Sequence, residues 1–240
     1  MLTNKGFVDI HSHILPHIDD GSQSMEESLE IARLAVKNNI EVMVATPHFK
    51  HGFYTPSKEK ILSSLKKLRA ALKAADIPLE ILPGSEAIIS PEMIRPNNKQ
   101  PLTLNQGHYM LVEFMLDEIS PFFEEILFKL QLKNIKPIIA HPERIYPIIE
   151  NPQIIYNLAQ KGCLLQVNAA SILGLLGKEI ESLSHSLLKR GIVDFIASDV
   201  HRPNKEVLNL SKTVKVAAKY VGGDRARALV RENPLKIIKK

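Results

Sequence analysis

The sequence predicts an α/β fold built on one parallel sheet, which is either open or closed into a barrel. Seven short apolar runs alternate with segments of helical spacing along the chain, a pattern typical of repeated strand–helix units. Each unit spans about 30 residues, and seven units come close to the eight of the common β/α barrel. Chemistry in such folds lies at the carboxyl ends of the strands, so functional residues are expected there.

The predicted strands are short runs rich in aliphatic and β-branched residues, as expected for strands buried on both faces. They cover residues 7–10, 41–46, 79–85, 109–114, 137–140, 163–168 and 192–198.

Helix signals fill the intervals between these strands. Ser24 and Glu27 form a capping box at the start of one helix, and apolar residues recur at helical spacing over 61–72. Ser120-Pro121 and Asn151-Pro152 each predict an N-cap followed by proline at the first helical position. One or two further helices are expected, over 206–221 and about 224–232, followed by a basic tail. The chain is therefore predicted to be a single domain, 1–240, with C-terminal helices from about residue 205.

Composition excludes several classes of protein. No stretch approaches the roughly 18 apolar residues of a membrane helix, and no secretory signal is visible. Cys163 is the single cysteine, which excludes an internal disulfide framework and fits a reducing cytoplasm. The formal charge of +5 is mild, and aromatic residues make up only 5% of the chain. Because the basic residues are not interleaved with aromatic ones, a nucleic-acid surface is not indicated.

Six of the seven predicted strands end in a histidine or a carboxylate. The first strand leads into the stretch VDIHSHILPHIDDG, where His11 and His13 lie two residues apart and so share one face of an extended chain. The other strand-end candidates, with the loop aspartates after the first strand, are Asp19, Asp20, His48, Glu86, Glu113, His141, Glu143, Asp199 and His201.

This set of side chains predicts a metal site. Carboxylates crowded into one mouth repel each other and resist ionisation when buried, so the cluster needs positive counter-charge. Imidazole and carboxylate donors without thiolates suit catalytic Mn, Fe or Zn better than a structural zinc site. Any one of these residues alone is more simply explained as a loop or capping residue, and the prediction depends on their joint position.

The motifs in this order resemble the PHP (polymerase and histidinol phosphatase) superfamily. More closely, DIHSHILPHIDDG together with AHPER, QVNAAS and IASDVH is similar to the CpsB/YwqE family of manganese-dependent protein-tyrosine phosphatases. The resemblance covers about residues 7–203. It implies a distorted (β/α)7 barrel of the PHP type, which is TIM-barrel-like.

The resemblance also implies three divalent metal ions, most simply Mn, with Fe or Zn as alternatives. The nine implied ligands are His11, His13, Asp20, His48, Glu86, Glu113, His141, Asp199 and His201. Asp20 is preferred to Asp19 because the family's ligand directly precedes a glycine, here Gly21. One metal would take His11, His13, Glu86 and Asp199. A second would take Glu86, Glu113 and His141, and the third would take Asp20, His48 and His201.

The implied activity is hydrolysis of phosphotyrosine by attack of a metal-activated hydroxide. Arg144 is the expected catalytic and substrate-binding residue, because its planar guanidinium fits phosphate oxygens; the alternative is a surface arginine paired with Glu143. Arg202 is a weaker substrate-binding candidate. The loop after His48 either contacts substrate or is a plain surface loop. A thiol mechanism is excluded because Cys163 lacks the Cys-x5-Arg pattern.

The implied substrate is the phosphotyrosine-bearing tail of a bacterial tyrosine kinase that controls capsule or exopolysaccharide synthesis, in the cytoplasm, with phosphate as product. Neither a nucleic-acid partner nor a membrane span is expected. Two alternatives stay open: a PHP-type histidinol-phosphate phosphatase, and a PHP nuclease or polymerase-associated module.

Overall fold

Short strands in parallel pairs form two sheets in the computed structural model, which describes residues 6–95 and 100–239. Within these ranges the strands are β1 Phe7–Ser12, β2 Ile40–Ala45, β3 His48–Phe49, β4 Glu80–Pro83, β5 Glu86–Ile88, β6 Tyr109–Glu113, β7 Lys136–Ala140, β8 Leu164–Asn168 and β9 Phe195–Ala197. The helices are α1 Met25–Lys37, α2 Lys58–Ala74, α3 Phe123–Leu132, α4 Tyr146–Glu150, α5 Gln153–Gln160, α6 Ala169–Ile172, α7 Lys178–Arg190, α8 Leu210–Val221, α9 Gly223–Ala228 and α10 Glu232–Ile238.

The sheet order follows the chain order, as in a β/α barrel. One sheet runs β1-β2-β4 and the other β3-β5-β6-β7-β8-β9. Two strands of the repeat extend past their predicted ends, residues 46 and 85, as a second half. The pairing changes at Thr46-Pro47, between β2 and β3, and at Gly84-Ser85, between β4 and β5. With each pair of halves counted as one strand, the predicted seven strands and their parallel α/β arrangement are confirmed.

The last strand lies beside the first through a seam that involves the C-terminal region. Near the carboxyl ends, the amide of Asp199 donates to the carbonyl of His11 over 3.0 Å, and the amide of His13 donates to Val200 over 2.9 Å. Near the opposite ends, β1 and β9 instead donate to the carbonyls of Val230 and Leu229. The stretch before α10 therefore occupies the gap between the two edge strands.

The apolar core has two parts. The larger part lies between the sheets and the helices and takes the stripe of α2 that the sequence predicts, Ile61, Leu65, Leu68 and Leu72. The smaller part lies among the strands and includes Val8, Ile10, Val42, Leu111, Ile138 and Phe195. Ile237 and Ile238 of α10 belong to this inner cluster, so the C-terminal helix covers apolar side chains of the strands.

Of four helix starts predicted from the sequence, one agrees with the structure and three are shifted. The Ser24 hydroxyl accepts from the amide of Glu27 over 3.1 Å, as the capping box predicts. The predicted N-caps Ser120 and Asn151 lie just outside their helices, since α3 begins at Phe123 and α5 at Gln153. The proline that follows each of them lies in a turn before the helix. The first C-terminal helix, α8, begins four residues later than predicted, at Leu210. In the described part of the chain, the helices are too short or too polar to cross a membrane.

Candidate metal centre

The side chains predicted as metal ligands converge at the carboxyl ends of the strands. His11 lies in β1 and His13 follows it, while Asp20 lies in the next loop. The others begin, end or follow later strands: His48 begins β3, Glu86 begins β5, Glu113 ends β6, His141 follows β7, and Asp199 and His201 follow β9. The donor atoms of eight of these residues, all except His141, form three sets, each with all its members within 4.8 Å of one another.

The first set is fully buried and comprises His11, His13, Glu86 and Asp199. His11 Nε2 lies 3.2 Å from Glu86 Oε2 and 3.2 Å from Asp199 Oδ1. His13 Nε2 lies 3.3 Å from the same Glu86 oxygen and 3.4 Å from the same Asp199 oxygen. Two imidazoles and two carboxylates thus point their donor atoms at one small volume, which matches the first predicted ligand set.

The second set contains His48, Glu86 and Glu113, whereas the sequence assigned His141 to this group. His48 Nδ1 lies 3.0 Å from Glu86 Oε2 and 3.1 Å from Glu113 Oε1. His141 Nε2 is nearby as well, 2.8 Å from Glu86 Oε1 and 3.9 Å from Glu113 Oε2. Glu86 therefore belongs to both of the first two sets: its Oε2 faces His11, His13 and His48, and its Oε1 faces His141.

The third set contains Asp20, His48 and His201 as predicted, and also His13. Asp20 Oδ1 lies 3.5 Å from His48 Nε2 and 3.7 Å from His201 Nε2. This set is the most open of the three, because the Asp20 side chain is 53% exposed. His48 belongs to two sets because its Nδ1 faces Glu86 and Glu113, whereas its Nε2 faces Asp20.

Several donor atoms in this cluster are buried without a hydrogen-bond partner among the described residues: Glu86 Oε2, Asp199 Oδ1, His48 Nδ1 and His141 Nδ1. An unsatisfied buried polar atom costs about 1–3 kcal/mol. Three of these four atoms belong to residues of the donor sets and face other donors at 3.0–3.4 Å. The arrangement is one that divalent cations would satisfy.

Charge in the cluster shows the same need for cations. Burial opposes charge on His48, but Glu86 and Glu113 outweigh it and raise its pKa to about 10. Burial likewise opposes ionisation of Glu86, yet the histidines hold its pKa well below the usual value. The pKa of His201 is lowered by burial and by His13. Without cations, therefore, histidine protons carry the positive charge that the carboxylates require.

Two of the site residues have left-handed backbone conformations. His141 has φ of 33° and Asp199 has φ of 55°. Non-glycine residues in this region carry strain that the surrounding structure must hold, and such strain concentrates at functional sites. At both positions the chain has just left a strand, and the turn directs the side chain toward the cluster.

Asp19 holds His13 and the start of β3 in position through hydrogen bonds. Its carboxylate accepts from His13 Nδ1 over 2.7 Å, from the His48 amide over 2.9 Å and from the Gly21 amide over 3.0 Å. The hydrogen bond at Nδ1 leaves Nε2 of His13 free to face the other donors. Asp19 is therefore a positioning residue, and the structure places Asp20, not Asp19, among the donor atoms.

A second supporting chain runs along β8. Gln166 Oε1 lies 2.8 Å from His11 Nδ1, and its amide donates to Asn168 Oδ1 over 2.8 Å. Asn168 in turn donates to Asp199 Oδ2 over 2.7 Å. This leaves Asp199 Oδ1 directed at the histidines. The sequence analysis did not predict a role for Gln166. A signal was present, because Gln166 lies two residues before Asn168 on a predicted strand, and residues at this spacing point to the same face.

The two arginine candidates have different surroundings. Arg144 Nη1 donates to Asp199 Oδ2 over 2.7 Å, and the residue lines a cavity of about 530 Å³ over the donor sets. Glu143 does not pair with it, because Glu143 is buried and accepts from Asn168 and Ser171. Arg202 donates to the Gly21 carbonyl and to Glu27. Among the described residues Arg202 is not part of the cavity lining, so its substrate role stays a prediction.

Cys163 takes no part in this site. Its side chain is buried in the larger core cluster. Burial raises the pKa of its thiol to about 11, so the reactive thiolate form is disfavoured at neutral pH.

The chain is similar to two tyrosine-protein phosphatases over most of its length. Tyrosine-protein phosphatase YwqE from Bacillus subtilis is 37% identical over 218 residues, which cover 90% of this chain and 86% of the relative. Tyrosine-protein phosphatase CpsB from Streptococcus pneumoniae is 28% identical over 237 residues, covering 96% of this chain and 98% of that protein.

A solved structure described as YwqE from B. subtilis and CpsB from S. pneumoniae, metal-dependent tyrosine phosphatases, superposes with a TM-score of 0.90. It is 35% identical, and the match covers 96% of this chain and 94% of that one. A histidinol phosphate phosphatase from Lactococcus lactis is 16% identical with a TM-score of 0.55, covering 87% of this chain and 93% of the other, and therefore shares the fold alone. The family model for capsular polysaccharide synthesis proteins, CpsB/CapC, matches residues 7–239. On this match and on the 37% identity to YwqE, the chain belongs to the CpsB/CapC family.

Proposed function

We propose that this protein is a metal-dependent phosphatase that hydrolyses phosphotyrosine in proteins. The observation that carries the proposal is the set of buried, unpartnered imidazole and carboxylate atoms at the floor of a cavity whose wall holds Arg144. YwqE and CpsB, which resemble the chain over most of its length, are described as metal-dependent tyrosine phosphatases.

The donor atoms fit divalent cations. Nitrogen and oxygen donors without sulfur suit Mn, Fe or Zn, and we propose three ions with Mn as the first choice. His11, His13, Glu86 and Asp199 would hold one. Glu113 and His141 would hold a second with Glu86, and Asp20, His48 and His201 would hold the third. When bound, such cations neutralise phosphate charge and lower the pKa of water.

The chain's own residues orient the ester. Arg144 carries five N–H donors in a planar fork, and its contact with Asp199 uses only one nitrogen. The remaining donors are available for the non-bridging oxygens of a phosphate in the cavity. Hydrolysis forms a bond from water oxygen to phosphorus and breaks the bond from phosphorus to the tyrosine oxygen. Because a phenol has a pKa of about 10, its oxygen leaves readily, and we assign no dedicated acid.

The cellular role follows from the family. CpsB/CapC proteins are named for capsular polysaccharide synthesis. We propose that the substrate is a phosphotyrosine-bearing tail of a bacterial tyrosine kinase in that process, and that the reaction takes place in the cytoplasm. We also propose that residues 1–240 act as one domain, since the C-terminal helix contributes apolar side chains to the inner cluster.

The test compares three substrates on one Mn-loaded preparation: a phosphotyrosyl peptide, histidinol phosphate and a 3′-labelled oligonucleotide. We expect the peptide to give the highest kcat/KM by at least tenfold. A preference for histidinol phosphate would refute the proposed substrate while keeping the metal site, and release of nucleotide would favour the nuclease alternative.

The ligand assignment is tested by His141→Ala and Asp199→Ala, which should abolish turnover and reduce bound metal. Lys178→Ala is the matched control, because Lys178 is 95% exposed on α7. Near-normal activity in either ligand variant would remove that residue from the proposed set.

A further inference from the structure

Large apolar side chains surround the mouth of the cavity over the metal centre. Phe53 is 72% exposed, Tyr146 60%, Leu116 45% and Met115 36%, and all four line this cavity. We call these four residues the rim. Below them, the donor residue Glu86 is completely buried. The cavity therefore combines an apolar entrance with a charged floor.

One part of the rim stands on a small hairpin after β3. The amide of Lys50 donates to the carbonyl of Tyr54 over 2.6 Å, and the amide of Tyr54 donates back over 2.9 Å. Gly52, with φ of +83°, makes the turn that presents Phe53. The ring of Tyr54 stacks with that of His48 at 6.1 Å between centroids and 20° between planes. Tyr54 thus continues the aromatic surface from the rim down to a donor residue.

The other part of the rim is tied to the phosphate-binding wall. The amide of Tyr146 donates to the carbonyl of Leu116 over 2.8 Å, which joins the loops after β6 and β7. Arg144 lies two residues before Tyr146 and lines the same cavity. The backbone segment that carries the phosphate-gripping guanidinium therefore also carries a rim aromatic.

We propose that the rim and Tyr54 form a subsite for the phenyl ring of the substrate and so select aryl over alkyl phosphate esters. The inference rests on the proposed phosphatase function. For the phosphate to reach Arg144 and the buried donors, the group that carries it must extend through the apolar entrance. A phenyl ring presents flat apolar faces to this entrance and gains aromatic contacts there, whereas a serine ester is shorter and has no ring to bury.

The test uses the double variant Phe53→Ala/Tyr146→Ala in the full Mn-loaded chain. Both residues are mostly exposed, so their removal leaves the core intact. The readout is the ratio of kcat/KM for a phosphotyrosyl peptide to that for a phosphoseryl peptide of the same sequence, with bound metal measured in parallel. We expect the ratio to fall about threefold to tenfold, the effect of losing one or two aromatic contacts. The control is Phe128→Ala, a 58% exposed aromatic on α3 outside this cavity.

The outcomes separate this inference from the proposed function. An unchanged ratio in the double variant, with wild-type phosphotyrosine turnover intact, overturns the subsite and leaves the phosphatase assignment standing. An equal loss in Phe128→Ala also overturns it, because the effect would then be unspecific. A wild-type enzyme that favours the phosphoseryl peptide overturns both. Phe53→Leu, which keeps an apolar side chain without the ring, should give an intermediate ratio.

Discussion

Removing the Asp19 carboxylate should weaken metal binding without removing any proposed ligand. The side chain is only 1% exposed and accepts three hydrogen bonds, from His13 Nδ1, the His48 amide and the Gly21 amide. In Asp19→Ala these donors lose their acceptor, His13 is free to rotate, and the start of β3 loses a contact. Loss of a partner behind a ligating histidine typically costs 10–100-fold in metal affinity.

That range corresponds to about 1.4–2.7 kcal/mol of binding free energy. The assay is competition for Mn²⁺ between the metal-free protein and a chelating indicator, with turnover followed as Mn²⁺ is raised. We expect the weaker affinity to be overcome at saturating Mn²⁺, so that turnover largely recovers. Glu30→Ala, an exposed acidic residue on α1, is the control.

Wild-type affinity in a folded Asp19→Ala protein would refute the positioning role. Loss of turnover that Mn²⁺ cannot restore would instead mean that Asp19 acts directly in the reaction. Should the alanine variant fold poorly, Asp19→Asn keeps the shape and one acceptor oxygen, and its affinity should lie between wild type and alanine.

Three further predictions follow from other parts of the structure. Arg144→Ala should lower kcat/KM for a phosphotyrosyl peptide about 100-fold with bound metal unchanged. Arg144→Lys should recover only part of the lost kcat/KM. Loss of metal in the alanine variant would show that the residue has a structural role instead. In metal-free protein the pKa of His48 is raised from 6.5 to about 10, so the stabilisation it contributes is fully present below about pH 6.5 and is lost as the pH rises toward 10. Tm should fall across that window, and a flat profile would contradict the charge assignment. Ile238→Ala, which truncates an α10 side chain in the inner cluster, should lower the free energy of unfolding by about 2 kcal/mol. Leu132→Ala, at an exposed position, should change it little. Equal effects of the two substitutions would argue against α10 as part of the core.

The strand repeat and the polar residues at the strand ends could be predicted from the sequence because both are local features. Apolar runs and helical spacing depend on neighbouring residues, and the phase of the repeat puts a histidine or carboxylate at the end of most strands. The Ser24 cap and the stripe of α2 are confirmed for the same reason. The predicted N-caps at Ser120 and Asn151 missed the observed ones by two residues and by one, because a proline is accommodated equally well by a turn ahead of a helix.

Partners far apart in the chain could not be predicted this way. His11 meets Gln166 across 155 residues, and Arg144 meets Asp199 across 55, although Glu143 is its neighbour in sequence. The position of Leu229 and Val230 between β1 and β9 is of the same kind. By itself, the sequence determined which side chains reach the carboxyl end of the sheet. Only the tertiary structure decided which of them touch, because those contacts depend on strand register, twist and the packing of helices that no local pattern encodes.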